Sequence, residues 1–102
     1  MIVYNITISV DSKKEGEFIQ WMKETYIPMV LNTGCFYEHR FMRLLHQGEE
    51  GEGTNFATQF FAENMKNMIA FEQGHSQKIH EELDGRFSGD FVFFRSLLES
   101  VD

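Results

Sequence analysis

Three charged side chains lie inside segments that are otherwise rich in apolar residues. Arg95 interrupts the run at 91–98, and Glu38 and Arg40 are expected to share a strand face with Phe36 and Met42 in the segment at 35–45. A charge removed from water is costly unless it is paired or bound to a ligand. An internal ion pair, or an arginine stem that reaches solvent at a sheet edge, is the more common explanation, and contact with a ligand is the functional alternative.

Aromatic residues and one histidine complete the set of candidate ligand contacts. Such side chains could line the pocket of a planar ligand, although aromatic stripes are more often ordinary core. His39, Tyr37 or Arg40 could also move a proton or polarise a carbonyl group. The predicted ligand-binding residues are therefore Trp21, Tyr26, Tyr37, His39, Arg40 and Arg95. The catalytic residues stay unassigned.

The sequence predicts neither a metal site nor a cofactor. The four histidines, His39, His46, His75 and His80, are scattered, and none forms the i, i+4 pair that chelates a metal on a helix. Glu72 and His75 have Glu-x-x-His spacing, but only one copy is present, so a surface pair is favoured. Cys35 is expected to be a buried, unreactive thiol because no residue is placed by sequence to activate it.

Length and charge restrict the class of protein. Residues 1–102 are predicted to form one domain, since the chain is long enough for only one core. A formal net charge of −7 disfavours nucleic acid and anionic membranes as partners. No apolar run approaches a membrane span, and the first ten residues do not resemble a signal peptide. A single cysteine fits the reducing cytoplasm.

The first half of the chain has the pattern of a strand followed by an amphipathic helix. Strict alternation at 2–10 predicts a half-buried strand. Asp11 or Ser12 is expected to cap the helix, and Ser12 and Glu15 have capping-box spacing. Pro28 predicts a bend or restart, and Gly34 a left-handed exit. The predicted buried stripe is Phe18, Ile19, Met22, Tyr26, Met29 and Val30, with Trp21 at its border.

The second half predicts three strands, a hairpin connection and a helix. Asn64 is the expected helix cap, Gly74 a candidate break, and Gly85 and Gly89 the exit. The strands are predicted at about 35–45, 54–62 and 90–98, with the hairpin connection at 47–53. The predicted buried stripe of the helix is Met65, Met68, Ile69, Ile79, Leu83 and Phe87.

The element order is that of a ferredoxin-like α+β fold. Strand, helix, strand, strand, helix, strand places both helices on one face of a four-stranded antiparallel sheet. The other face is then bare, and the alternating residues of the second and fourth strands make both faces apolar. A second sheet is expected to cover it, and the simplest source is a second copy of the chain in a dimeric α/β-barrel.

Four segments carry a family resemblance: MIVYNITISVD, WMKETYIPMVLNTGCF, FATQFFAENM and FVFFRSLLE. In this order and spacing they resemble an uncharacterised bacterial family, a domain of unknown function. That family is similar in architecture to the dimeric α/β-barrel superfamily, which includes cofactor-independent monooxygenases, haem-degrading enzymes and stress-response proteins. The resemblance implies the fold and dimerisation, and it implies no activity, because the chain has no complete catalytic motif of those enzymes.

Three functions are compatible with these observations. The favoured hypothesis is a cytoplasmic homodimer that binds an apolar or aromatic small molecule between helices and sheet, in a gap lined by Trp21, Met22, Tyr26 and Met68. The first alternative is a cofactor-independent monooxygenase-like or isomerase-like enzyme, which rests on the superfamily analogy. The second alternative is a partner-binding module without a ligand.

Overall fold

The computed structural model describes residues 1–45, 53–87 and 91–102. Most of the predicted hairpin connection at 47–53, His46 and Gly89 lie outside the described residues. The elements, in chain order, are β1 (Ile2–Val10), a 3₁₀ turn (Ser12–Lys14), α1 (Glu15–Trp21), a π-helical turn (Met22–Tyr26), α2 (Ile27–Leu31), β2 (Glu38–Arg43), β3 (Thr54–Ala62), α3 (Met65–Gly74), α4 (Ser76–Phe87) and β4 (Phe91–Glu99).

The four strands form one antiparallel sheet in the order β2-β3-β1-β4. β1 is therefore a central strand, and Tyr4 lies opposite Phe60 of β3 and Leu97 of β4. The helices cover one face of this sheet, which we call the inner face. The predicted ferredoxin-like α+β fold is confirmed. Among the described residues, no helix is long and apolar enough to cross a membrane.

Alternating residues of the central strands build the core of the protein. Tyr4 contacts Phe60 and Phe71, and Phe18 contacts Phe56, with ring centroids 5.2 to 6.3 Å apart. Such aromatic pairs add to the stability that burial of their area provides. The fully buried large side chains are Phe18, Phe60, Phe71, Ile6, Ile8, Met22, Met68, Leu83, Val10, Val30 and Thr58.

The first crossover helix changes its hydrogen-bonding pattern just before Pro28. The Ile27 amide donates to the carbonyl of Met22, five residues earlier, which closes a wider turn than an α-helix has. Pro28 then occupies the first turn of α2, where its missing N–H is not needed. The predicted restart at Pro28 is confirmed, and Gly34 ends the segment with a φ of +78° as predicted. Asp11 is the N-terminal cap, and its side chain accepts from the Lys13 amide.

The second crossover is divided at His75 into α3 and α4, as the glycine at position 74 suggests. The predicted stripe is wrong in part, because Met65 and Ile69 are exposed whereas Phe71 is buried. These three residues all belong to α3, which turns the face with Met68 and Phe71 to the sheet rather than the face predicted for one continuous helix. Gly85 lies inside α4 and does not end it. The Asn64 cap is confirmed by the hydrogen bond that its side chain accepts from the Asn67 amide.

β2 is shorter than predicted. It begins at Glu38, because Phe36 turns into the core and packs edge-to-face against Phe71 with the ring centroids 4.9 Å apart. Glu38 and Arg40 therefore do not share a face with Phe36, although they do share one with Met42. Residues 35–37 therefore lie outside β2, although the sequence predicts a strand from about position 35.

The second face of the sheet, which we call the open face, carries two apolar rows with a polar row between them. Phe61, Val3 and Leu98 form one row that is apolar except for Glu38 at its β2 end, and Met42, Ala57, Thr7 and Phe94 form a row that is apolar except for the threonine. The row between them consists of Arg40, Gln59, Asn5 and Ser96. The open face is thus more polar at its centre than the sequence predicts. Phe94 is nevertheless 62% exposed.

Candidate ligand-binding site

Arg95 projects from β4 toward the helices. It lies opposite Ile6 of β1, whose side chain is buried in the core, so the arginine is on the inner face of the sheet. One guanidinium nitrogen, Nη1, is 3.4 Å from the Ser76 hydroxyl oxygen and 3.7 Å from the Glu72 carboxylate. The guanidinium is also close enough to the Tyr4 hydroxyl to interact with it electrostatically. The arginine therefore joins β1 to both helices of the second crossover.

A cleft of about 300 Å³ opens at this point, beside the edge strand β4. Its lining combines apolar surface with one cation, one carboxylate and the Tyr4 hydroxyl, since the Ser96 hydroxyl lies on the open face beside Asn5. A volume of this size is at the lower end of the range for small-molecule sites. The lining residues are Tyr4, Glu72, Arg95, Ser96 and Leu97.

Burial further disfavours ionisation of the two inner tyrosines of this region. It raises the pKa of Tyr4, and the nearby Arg95 only partly opposes that effect. Burial likewise raises the pKa of Tyr26 well above its ordinary range, and the nearby Tyr4 adds to the rise. The neighbouring Tyr4 raises the pKa of Arg95 further. The site therefore presents one permanent cation beside neutral phenols.

Two of the other predicted ligand-binding residues lie near this site. Tyr26 is buried and close enough to Tyr4 and Arg95 to interact with both electrostatically. Trp21 packs behind it, with ring centroids 5.6 Å apart, and is partly exposed beside α4. The sequence predicts a gap lined by Trp21, Met22, Tyr26 and Met68. Met22 and Met68 are completely buried and line none of the described clefts. The described cleft lies instead at the β4 edge.

The three predicted residues of the second strand do not join this site. His39 is on the inner face, stacked on Phe60, but at the opposite edge of the sheet from β4. Arg40 lies on the open face, 2.9 Å from Glu38 and over the Phe61 ring. Tyr37 precedes the strand, is exposed, and is also near Phe61. An internal ion pair thus accounts for Arg40 and Glu38.

Metal binding and thiol chemistry find no support at the described positions. No group of three or more histidine, cysteine, aspartate and glutamate side chains in the described part of the chain could hold a metal ion. Cys35 is buried, and its thiol lies 3.9 Å from the Thr33 carbonyl oxygen. The absence of a structural metal and the low reactivity of Cys35 remain predictions.

Comparison with known proteins identifies the family. A family model described as a domain of unknown function, DUF4286, matches residues 1–101. The chain belongs to this family. No curated protein sequence matches the DUF4286 chain.

Solved structures share the fold of this DUF4286 chain at low sequence identity. An EthD-family protein of Bacillus halodurans C-125 is 12% identical, with a TM-score of 0.68 over 99% of this chain and 100% of that one. A dimeric ferredoxin-like protein from an uncultured marine organism is 12% identical, with a TM-score of 0.69 over 99% and 95%. A mutant of SnoaB, a cofactor-independent oxygenase from Streptomyces nogalater, is 10% identical, with a TM-score of 0.57 over 99% and 93%. These identities establish the fold alone.

Sequence reasoning identified Arg95 of the DUF4286 site and missed its neighbours. Arg95 stands out as a charge in an apolar run, whereas Glu72 is expected to form a surface pair with His75, and Tyr4 and Ser76 look like an ordinary strand residue and an ordinary helix residue. The register of β1 against β4 would have placed Tyr4 beside Leu97, and so near Arg95. No local signal marks Ser76, because its contact with Arg95 depends on the break at His75.

Proposed function

We propose that the protein is a homodimer that binds a small apolar or aromatic molecule between its helices and its sheet. The observation that carries the ligand proposal is the cleft beside β4, in which Leu97 and the Tyr4 ring offer apolar contact next to polar groups. Small-molecule sites typically combine apolar walls with a few polar groups that fix orientation. The single buried cysteine supports a location in the reducing cytoplasm.

Filling the cleft tests the ligand proposal. A screen of aromatic metabolites by ligand-observed NMR should give binders, and Leu97→Trp should abolish their binding because the indole occupies the cleft. Leu45→Trp is the matched control, since Leu45 is 88% exposed and does not line the cleft. Binding that survives in Leu97→Trp would place the ligand elsewhere. A screen without any binder would favour the partner-binding module.

Dimerisation is proposed through the open face of the sheet. Phe94, Leu98 and Met42 are exposed there, and three large apolar side chains on one face are typical of an interaction surface. A second copy supplies the same two apolar rows and a polar row with both donors and acceptors, as a twofold interface requires. Sheets of this kind pack face to face at a spacing of about 10 Å.

Two substitutions, Phe94→Asp and Phe93→Asp, distinguish an interface residue from a core residue. Phe94→Asp should convert the dimer to a folded monomer in sedimentation velocity, because it places a charge on the open face. Ile69→Asp is the matched control: Ile69 is also exposed but lies on α3, away from that face, so the dimer should persist. Phe93→Asp should instead destabilise the fold, because Phe93 packs against the core. A wild-type monomer at micromolar concentration would contradict the proposal.

A second candidate function, a cofactor-independent isomerase, follows from the Tyr4 hydroxyl. A neutral phenol beside the Arg95 charge can donate to a carbonyl oxygen, and Glu72, which lines the same cleft, could take a proton from the adjacent carbon. Proton–deuterium exchange at the α-carbon of 2-tetralone, followed by NMR, tests this function. Catalysed exchange that is lost in both Tyr4→Phe and Glu72→Gln would support it, and exchange at the uncatalysed rate would exclude it for this ketone.

A further inference from the structure

Arg95 differs from the two arginines of β2 in how its charge is satisfied. Arg43 is 2.7 Å from Glu15 and Arg40 is 2.9 Å from Glu38, which are the distances of charge-assisted hydrogen bonds. The Glu72 oxygen is 3.7 Å from Arg95, beyond that range. The carboxylate therefore lies near the guanidinium without making a full hydrogen bond to it.

The remaining contacts of Arg95 use little of its donor capacity. A guanidinium has five N–H donors. Its described neighbours are the Ser76 hydroxyl at 3.4 Å, the Tyr4 hydroxyl and the distant Glu72 carboxylate, and the first and last of these share the nitrogen Nη1. The Arg95 side chain is 44% exposed and lines the cleft. Donors thus remain available to a molecule that enters the cleft.

The surroundings favour a single anionic group at this point. Tyr4 and Tyr26 are neutral at physiological pH, as tyrosines ordinarily are, and burial raises the pKa of each further, so neither cancels the arginine charge. Glu72 is the only carboxylate that lines the cleft within the described residues. Leu97 and the Tyr4 ring provide apolar surface beside the cation. This combination fits a flat apolar body with one negative oxygen group.

We propose that Arg95 recognises a carboxylate or other anionic oxygen group on the bound molecule, and that Glu72 is the resident carboxylate that this group displaces. The ligand class is then an aromatic or apolar organic acid. The inference rests on the proposed ligand-binding function and adds to it the charge of the ligand and the role of two residues. Glu72 holds the arginine in place in the free protein and competes with the incoming anion.

A matched pair of probes tests the charge of the ligand. We would measure the binding of 1-naphthoate and of 1-naphthalenemethanol, which share the same ring system, by NMR titration at low salt. The naphthoate should bind at least about tenfold more tightly, since a hydrogen bond to a charged group contributes more than a neutral one. Added salt should weaken the binding of naphthoate only.

Variants of the two residues give opposite results for the same probe. Arg95→Gln should reduce naphthoate affinity to the level of the alcohol and leave the alcohol unchanged. Glu72→Gln should tighten naphthoate binding several-fold because the competing charge is gone. Glu63→Gln is the charge-matched control, since Glu63 is exposed and does not line the cleft, and it should change neither affinity. Arg95→Lys keeps the charge and should retain part of the preference.

The outcomes distinguish the inference from the function on which it rests. Equal affinity of the wild type for both probes, or equal losses for both in Arg95→Gln with an unchanged melting temperature, would overturn the inference and leave the ligand-binding proposal standing. Weaker naphthoate binding in Glu72→Gln would overturn the competing role of Glu72. If neither probe binds to the wild type, both the inference and the proposed cleft for aromatic ligands fail.

Discussion

Thr58 is a polar residue in the centre of an apolar core. Its side chain lies on the inner face of β3 between Ile6 and Phe41 of the adjacent strands and is completely buried. The hydroxyl oxygen has no hydrogen-bond partner among the residues that the structure describes. A buried hydroxyl without a partner loses its hydration and gains nothing in return. Thr58 is therefore a point at which this core is less stable than it could be.

Thr58→Val should raise the free energy of unfolding by about 1 kcal/mol, because valine keeps the shape and removes the unsatisfied hydroxyl. Urea denaturation followed by circular dichroism measures the change. Thr25→Val makes the same chemical change at an exposed helix position and should have an effect below about 0.5 kcal/mol. A less stable Thr58→Val protein would show that the hydroxyl has a partner in solution.

Tyr26 makes the protein sensitive to alkaline pH. Its pKa is raised by burial above the value of about 10 that tyrosine has in an unfolded chain, so the unfolded state releases its proton first. Stability should be constant with respect to this group below pH 10. It should fall above pH 10, by at most about 1.4 kcal/mol per pH unit for each such tyrosine.

Melting temperatures between pH 9 and pH 11 test this dependence. Tyr26→Phe should have a flatter decline than the wild type, because it removes one of the groups that must stay neutral. Tyr37→Phe removes the same hydroxyl from an exposed ring and should follow the wild-type curve. Identical slopes for all three proteins would mean that the burial of Tyr26 does not control the alkaline limit.

At the level of secondary structure, regular alternation made β1 and β3 predictable. Ile2–Val10 and Thr54–Ala62 have the predicted bounds because one face of each strand is consistently buried. The predicted second strand was too long, because alternation in sequence cannot reveal that Phe36 leaves the strand to pack edge-to-face against Phe71. The division at His75 was suggested by a glycine, but the faces of α3 and α4 depend on packing that only the folded chain defines.

The cation of the candidate site could be predicted from the sequence, but the residues around it could not. Arg95 is conspicuous in the sequence because apolar residues surround it, whereas Glu72 precedes Gln73 and Gly74 and is expected in a surface pair. Their proximity depends on β4 pairing with β1 and on where α3 ends. Those long-range relations also place His39 at the far edge of the sheet and Arg40 on its other face. Local sequence patterns carry no information about them.

The cap of α3 gives a prediction for a single element. Asn64→Ala should lower the free energy of unfolding by about 1 kcal/mol, because the Asn67 amide loses the acceptor 2.9 Å away. Asn64→Ser supplies another side-chain oxygen at the same position and should stay within about 0.5 kcal/mol of the wild type. Thermal or chemical denaturation measures both. Equal losses in the two variants would show that the cap does not act through this hydrogen bond.

The whole molecule is organised around a sheet that the helices cover on one face. Helices cover the inner face, and the open face has apolar rows with Phe94 strongly exposed. The dimeric ferredoxin-like protein with a TM-score of 0.69 has the same fold, and self-association of this chain is our proposal for the open face. A net charge of −7 gives two copies a mutual repulsion that salt screens, so dimer affinity should rise with ionic strength.

The cleft and the proposed dimer interface lie on opposite faces of the sheet, and this arrangement determines whether the two sites of a dimer affect each other. Arg95, Tyr4 and Glu72 come from a single chain, so each protomer carries the charged part of its own site. A calorimetric titration of the dimer should therefore give two equivalent, independent sites, with a Hill coefficient of about 1. Phe94→Asp monomers should bind with unchanged affinity at a stoichiometry of one. Cooperative binding by the dimer, or weaker binding by the Phe94→Asp monomer, would mean that one cleft is coupled to the other protomer through both sheets.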